Sequence, residues 1–271
     1  MNKSDIVITE KGGEVYLEIR HALGGFGSCG TVALLDIIDC FNKYKRLPIV
    51  DRSAQYTYYD ENLIDTLFCV NDSEIEFTKD IKLSDRWQIQ WEHYENLPFP
   101  ALRPFVDKYF SPSNQVALIR DMFLDKYEID LSNTVSVFYR GNDKQQETKT
   151  ASYDSFIDKC KEIRERRPDV RFLIQPDETE FLETFIDVFP DTTHIVENKH
   201  IKKNEEIAVF HSIHKRRKAK HVINFFASLL VHSMCSEIVT GSGNIGLWLA
   251  LYRGHTNGLH QIYNDKWYGN N

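Results

Sequence analysis

The chain of 271 residues lacks the features that mark several common classes of protein. It has no apolar run of the ~20 residues that a membrane-spanning helix needs. Its polar first residues lack the apolar core of a signal peptide, so we expect a cytoplasmic protein with no membrane span. Lys and Arg number 33 against 40 Asp and Glu, and the net charge of −7 disfavours a nucleic-acid partner.

Cysteine is scarce, and several catalytic motifs are missing. The five cysteines are widely spaced and form no Cys-x-x-Cys pair, which argues against a disulfide framework and a structural zinc site. Such cysteines fit a reducing compartment. The P-loop, the Gly-x-Ser-x-Gly elbow and the His-Glu-x-x-His zinc helix are all absent, which disfavours the enzymes that depend on them.

From residue 132 onward, apolar strands alternate with amphipathic helices. Strands are predicted at Val135–Tyr139, Val170–Gln175, Thr193–Val196 and Glu237–Thr240. Helices are predicted at Tyr153–Arg166, Glu178–Val188, Ala219–Met234 and Asn244–Arg253. This alternation is typical of a parallel sheet with crossover helices, whose ligands bind beyond the carboxyl ends of the strands.

The first part of the chain contains a related unit. It reads in order as a strand at Val15–Ile19, a glycine-rich loop at 21–30, a helix at Thr31–Tyr44 and a strand at Leu47–Val50. A later helix is predicted at Ser113–Lys126. We therefore predict an α/β fold of two Rossmann-like lobes whose parallel sheets face a central cleft. The predicted divisions are an N-terminal lobe at 1–131, a C-terminal lobe at 132–255 and a tail at 256–271.

The turn after the last predicted strand, Gly241-Ser242-Gly243-Asn244, joins an apolar strand to an apolar helix. Small residues let a ligand approach the backbone, and a helix N-terminus offers unpaired amides at the positive end of its dipole. Ser242 adds a hydroxyl donor. The turn suits a diphosphate, although a well-capped turn without a ligand fits the same residues.

Charged residues follow two other strands of the predicted sheet. The loop after Val135–Tyr139 begins with Arg140 and continues to Asp143 and Lys144. Arginine is suited to bidentate phosphate contacts, although a surface salt-bridge cluster is the plain alternative. Asp177 follows the next strand, where it would bind a base or a ribose, or cap the following helix.

A second glycine pattern favours a different function. Gly25-Phe26-Gly27-Ser28-Cys29-Gly30 matches the Gly-x-Gly-x-x-Gly fingerprint of dinucleotide binding, and Asp51 ends the next strand. An NAD-dependent oxidoreductase that uses Gly25–Gly30 is therefore an alternative. Residues 20–24 separate the strand from the fingerprint, however, and Glu18 is unlike a strand buried on both faces.

Three stretches of the sequence together resemble the fucosyltransferase superfamily of the GT-B fold, which includes the α1,6-fucosyltransferases and the bacterial nodulation enzyme. They are LGGFGSCGTVALLDIIDCFNKYKRLPIVDR, VSVFYRGNDKQQET and MCSEIVTGSGNIGLWLALYRG. In order and spacing, these stretches span most of the chain. The resemblance implies a glycosyltransferase of the GT-B fold that transfers a sugar to a glycan hydroxyl with inversion at the anomeric carbon. The sugar that it implies first is fucose from GDP-fucose.

The resemblance also implies where the donor binds. Arg140 would contact the β-phosphate of a GDP-sugar, and Asp177 would lie near the guanine or the ribose. The full implied donor-binding set is Arg140, Lys144, Asp177, Ser242, Gly243, Asn244, Gly25 and Gly27. No cofactor or metal is implied, and the Asp-x-Asp metal motif of the other glycosyltransferase fold is absent.

For catalysis, the resemblance implies a carboxylate base. In the α1,6 enzymes a glutamate follows the Asp-Lys pair, and Glu147 lies three residues after Lys144. Glu147 would take the acceptor proton, with Asp143 as a rival base and Arg140 stabilising the leaving diphosphate. The chain departs from the family pattern at three positions, with Phe138 in place of a histidine, Gly141 in place of a second arginine and Leu247 in place of a later arginine. A non-catalytic nucleotide- or glycan-binding module of the same fold is thus a further alternative.

Overall fold

The structure, a computed structural model, describes residues 6–20, 24–56, 63–71, 80–85, 88–204 and 207–269. Its helices are α1 Phe26–Tyr44, α2 Leu63–Leu67, α3 Phe99–Tyr109, α4 Asn114–Lys126, α5 Tyr153–Arg166, α6 Thr179–Val188, α7 Lys218–Met234 and α8 Asn244–Arg253. Its strands are β1 Ile6–Lys11, β2 Glu14–Ile19, β3 Ile49–Asp51, β4 Phe68–Cys69, β5 Ser111–Pro112, β6 Thr134–Tyr139, β7 Arg171–Pro176, β8 Thr193–His194, β9 Glu237–Gly241, β10 Leu259–Tyr263 and β11 Lys266–Tyr268. Among the described residues, no helix is both long and apolar enough to cross a bilayer.

A six-stranded sheet organises the second half of the chain. Its order is β11-β10-β9-β6-β7-β8, and all strands except β11 pair in parallel. Every residue of the central strand β6 is buried, as expected for a strand covered on both faces by crossover helices. The predicted α/β fold is confirmed, and the predicted strands and helices of residues 132–255 differ from the observed ones by two residues or fewer.

The segment predicted as a tail instead extends this sheet. Strand β10 pairs in parallel with β9, and β11 returns antiparallel through a turn in which Asn264 and Asp265 have positive φ values of 49° and 59°. Such a turn matches the twist of a hairpin, and Asn and Asp tolerate it better than most residues. The polar residues His260 and Gln261 are buried in β10, so its sequence does not read as a buried strand.

The N-terminal sheet is smaller and mixed. Strand β2 pairs in parallel with β3 across the crossover helix α1, as predicted, and antiparallel with β1, which the polar N-terminal sequence did not indicate. The helix α1 begins at Phe26, five residues before the prediction, with Gly25 as its N-cap. The expected glycine loop is therefore wrong for residues 26–30, and its residues 21–23 lie outside the described part of the chain.

Packing between α1 and α8 explains these helical glycines. A Cβ on Gly27 would lie 2.8 Å from Ile245 Cδ1, and one on Gly30 would lie 2.8 Å from Trp248 Cζ2. The indole of Trp248 also donates a 3.0 Å hydrogen bond to the carbonyl of Gly27. The Gly-x-Gly-x-x-Gly spacing thus has a packing explanation, because two helices can approach closely only where one lacks side chains.

One hydrophobic core continues from the N-terminal part into the C-terminal sheet. It includes Leu17 and Ile37 from the first part and Phe226 and Leu249 from the second. Helix α4 packs against α7, and α1 against α8, across the predicted division at residue 131. A second core lies on the other face of the sheet under α5 and α6. The division into lobes at 131 stays a prediction.

Candidate active site

A cavity of about 470 Å³ opens at the carboxyl edge of the six-stranded sheet, facing the start of α1. The loops after β6, β7 and β9 form one side of it, as expected for parallel sheets. All ten residues predicted for the site line it: Gly25, Gly27, Arg140, Asp143, Lys144, Glu147, Asp177, Ser242, Gly243 and Asn244. The structure therefore brings together residues that lie up to 219 positions apart between Gly25 and Asn244.

Arg140 is held between two carboxylates. Its Nη2 donates a 2.7 Å hydrogen bond to Asp143 Oδ1, and its Nη1 lies 3.2 Å from Asp177 Oδ2. About a third of its side chain is still exposed, so the guanidinium is oriented without being enclosed. Asp143 acts here as the partner of Arg140, which is one of the two roles that its sequence position allows.

The carboxylate of Asp177 contacts other groups of the protein. It is 6% exposed, and its Oδ1 accepts a 2.8 Å hydrogen bond from the amide of Gly141. Burial raises the pKa of this carboxyl to about 6, and the nearby Arg140 guanidinium opposes that rise. The carboxylate fixes the Arg140 loop from below, in addition to lining the cavity.

Two residues that the sequence did not single out shape the same loop. Asn142 has a positive φ of 35°. Its backbone N–H donates a 2.7 Å hydrogen bond to Glu178 Oε1, and its side-chain Nδ2 donates a 2.8 Å hydrogen bond to the carbonyl of Asp177. The carboxylate of Glu178, fully buried, lies so close to Gly141 that a Cβ there would be 2.1 Å from Oε1. Position 141 therefore has no room for the arginine of the family pattern.

Lys144 is the second cation on the cavity wall. It is 7% exposed, and its Nζ donates to Glu147 Oε2 at 2.6 Å and to Gln90 Oε1 at 3.2 Å. The same ammonium lies 4.4 Å from the centre of the Trp91 ring. Burial lowers the pKa of Lys144, and its partner Glu147 opposes that change. Glu147 itself is half exposed at the cavity.

Gln90 and Trp91 belong to the stretch at 51–104, which is rich in aromatic residues. The stretch carries no periodic signal, and nothing in it marked these two residues as contacts of Lys144. Residues 57–62, 72–79 and 86–87 of that stretch lie outside the described residues. The part that is described therefore adds a functional contact that sequence patterns do not reveal.

Two backbone amides of the glycine turn before α8 already donate hydrogen bonds within the protein. The amide of Ser242 donates to the Ile262 carbonyl at 3.0 Å, and the amide of Gly243 donates to the Gln90 carbonyl at 3.0 Å. These two amides are thus not the open donors that the sequence suggested. Within the described residues, the amides of Asn244 and Ile245 have no protein acceptor, so the first turn of α8 is still open to an anion.

Another part of the cavity wall is apolar. It is lined by Phe138, Val209, Phe210, Val222 and Phe225. Phe138, at the position where the family pattern has a histidine, contacts Phe225 edge to face with ring centres 6.2 Å apart. Burial lowers the pKa of the neighbouring His221 to about 4, so this imidazole is neutral at pH 7. The aromatic end of the cavity therefore contrasts with the charged strand ends.

The fold and the cavity together define an α/β protein with an open cleft at the strand ends. No protein family profile matches the chain, and no curated protein matches it in sequence. Among solved structures it is similar to the NodZ α1,6-fucosyltransferase soaked with GDP-fucose, with TM-score 0.52 and 12% identity over 91% of this chain and 96% of that one. A mutant of Arabidopsis thaliana FUT1 in complex with GDP shows TM-score 0.47 and 10% identity, covering 90% of this chain and 69% of that one. The chain therefore has a fucosyltransferase-like GT-B fold, as the resemblance implied.

Proposed function

We propose that the chain is a glycosyltransferase that transfers a sugar, with fucose from GDP-fucose as the leading candidate, to a glycan hydroxyl. One observation carries the proposal. Arg140, Lys144 and the open first turn of α8 line the same cavity, from the ends of two different strands. Cationic N–H donors and a helix N-terminus on the wall of one cavity suit the oxygens of a diphosphate, and arginine suits bidentate phosphate contacts.

The shape of the cavity supports a nucleotide-linked donor. Its volume of about 470 Å³ is within the usual range for small-molecule sites. The diphosphate would lie at the charged end, and the base would lie against the apolar end around Phe210 and Phe225. The solved structure that shares this fold was soaked with GDP-fucose, which makes GDP the first nucleotide to test.

The proposed reaction inverts the anomeric carbon. The acceptor oxygen forms a bond to that carbon from the side opposite the diphosphate, and the bond from the carbon to the diphosphate oxygen breaks. Glu147 takes the acceptor proton, because it is a half-exposed carboxylate at the cavity wall. Arg140 and Lys144 stabilise the charge that develops on the leaving diphosphate. We propose that these two cations serve in place of a metal ion.

Calorimetric titration tests the donor. We expect GDP to bind more tightly than UDP, ADP, dTDP or NADH, and the Arg140→Gln variant to lose that binding. The control is Arg20→Gln, since Arg20 pairs only with the exposed Glu18 on the N-terminal sheet among its described contacts. Tight NADH binding without GDP binding would instead support the oxidoreductase.

Turnover separates an enzyme from a binding module. We expect the chain to release GDP from GDP-fucose in the presence of a glycan acceptor, with no loss of rate in EDTA. GDP binding without release or transfer would show the non-catalytic module. A rate abolished by EDTA and restored by Mn²⁺ or Mg²⁺ would contradict the metal-free mechanism.

A further inference from the structure

Gln90 makes an unusual set of contacts at the charged end of the cavity. It lies in a short 3-10 helix, Ile89–Trp91, and its side chain is 4% exposed. Its Oε1 accepts hydrogen bonds from Lys144 Nζ at 3.2 Å and from Asn244 Nδ2 at 2.9 Å. One amide oxygen therefore joins the loop after β6 to the start of α8.

The backbone around Gln90 is held by other groups. The Gln90 carbonyl accepts from the amide of Gly243, and the Tyr94 hydroxyl donates to the Gly243 carbonyl at 2.9 Å. Gln261 accepts from the amide of Tyr94 at 2.9 Å and donates to Ser242 Oγ at 2.7 Å. Because these contacts do not involve the Gln90 side chain, that side chain can be replaced while the segment stays docked.

Lys144 needs hydrogen-bond acceptors such as Gln90 Oε1 to fix the direction of its ammonium. An ammonium on a flexible four-carbon stem has three N–H donors and no fixed direction of its own. Glu147 and Gln90 take two of these donors, and the Trp91 ring lies beside the ammonium. Among the described residues, no protein acceptor is within hydrogen-bond distance for the third donor, which is the one that a ligand in the cavity would take.

We infer that Gln90 is a positioning residue that aims Lys144 and Asn244 at the donor diphosphate. The inference rests on the proposed function of the cavity. Gln90 suits this role because its oxygen is neutral, so that it orients the ammonium without adding a second carboxylate to that of Glu147. A carboxylate at position 90 would add an anion beside the site and repel a diphosphate.

Two substitutions at position 90 test the inference through GDP affinity. Gln90→Met keeps the length of the side chain and removes the acceptor, and we expect the GDP dissociation constant to rise about 10-fold, the lower end of what a lost bond to a charged group costs. Gln90→Glu keeps the shape and adds a charge, and we expect a rise of about 100-fold. The matched control is Gln88→Glu, since Gln88 is exposed in the same segment and, among the described residues, its side chain makes no hydrogen bond to Lys144 or Asn244. Unchanged GDP affinity in both position-90 variants would overturn the inference.

A second measurement does not depend on nucleotide binding. NMR titration of the Cε–Hε resonances in uniformly ¹³C-labelled protein, with Lys144 assigned by its loss in Lys144→Arg, reports the ionisation of this group directly and leaves its N–H donors in place. We expect Gln90→Glu to raise the pKa of Lys144, Gln90→Met to lower it and Gln88→Glu to leave it unchanged. If the wild-type chain binds no GDP, the proposed function fails while this titration still tests the contact. Equal Lys144 titrations in all variants would show that Gln90 does not act on Lys144.

Discussion

Two glycine-rich segments meet at the cavity, and the fold uses them differently. Gly27 and Gly30 face α8, where an added Cβ would lie 2.8 Å from Ile245 Cδ1 and Trp248 Cζ2 respectively. Gly241, the last residue of β9, has no atom within 4 Å of such a Cβ and lines the cavity. A glycine pattern by itself therefore does not distinguish a glycine that a packed helix requires from one that faces the open space of a cavity.

We call the wall with Arg140, Lys144 and Glu147 the chemical side of the cavity, and the contact of Gly27 and Gly30 with α8 its packing side. The variant Glu147→Gln is the strongest test of the chemical side. We expect transfer to fall by about 10²–10⁴, because the proposed base is lost, while the unfolding midpoint changes little. Asp143→Asn should cost less, because Asp143 is the partner of Arg140. Steady-state transfer assays of the two variants check this order. Full activity in Glu147→Gln would remove Glu147 as the base.

Arg140 is the next test of the chemical side. We expect Arg140→Lys to lower kcat/KM by about 10²–10³, since lysine keeps the charge but loses the bidentate contact. The charge retained beside Asp177 guards against a buried unpaired carboxylate, so thermal unfolding serves as the control. Wild-type kcat/KM in this variant would show that the guanidinium does not contact the donor.

Asp177, on the chemical side of the cavity, makes the stability of the protein depend on pH. Because its folded pKa is raised from 3.8 to about 6, its contribution to stability is fully present below about 3.8 and is lost as pH rises to 6. The loss amounts to about 3 kcal/mol at most. The free energy of unfolding, measured in urea from pH 4 to pH 7, should therefore lack this loss in Asp177→Asn and show it in the wild-type chain. Parallel curves for the two proteins would contradict the raised pKa.

The smallest expected effects come from the glycines themselves. Gly30→Ala should destabilise the protein by about 1–2 kcal/mol, since crowding of Trp248 outweighs the better helix propensity of alanine. Gly241→Ala should leave the stability within about 0.5 kcal/mol and weaken GDP binding. Thermal unfolding and calorimetry on both variants give the comparison. Equal destabilisation by the two changes would break the distinction between the segments.

The position of the cavity was predictable because parallel strands end at a common edge. Arg140, Asp177 and Ser242 each follow a buried strand, so the rule for strand ends places them together from sequence alone. The helices were predictable for a similar local reason, as α5 and α8 show by beginning and ending at the predicted residues. Apolar periodicity of this kind depends only on neighbours in sequence.

Other features depended on residues far apart in the chain. Strand β10 carries buried polar residues, and only its pairing with β9 on one side and β11 on the other makes the two strands part of the sheet. The contact between Gln90 and Lys144 joins residues 54 positions apart, from a segment with no repeating pattern. Sequence patterns report local periodicity, and therefore they do not detect such pairs.

The sequence by itself determined the α/β alternation and the strand ends at which Arg140, Lys144 and Asp177 lie, because both follow from local apolar patterning and the geometry of parallel sheets. Only the tertiary structure decided which backbone groups are free to bind a ligand. The amides of Ser242 and Gly243 are bonded to Ile262 and Gln90, which are distant in sequence. Whether a buried donor is satisfied depends on the groups that pack against it, and packing is a property of the whole fold.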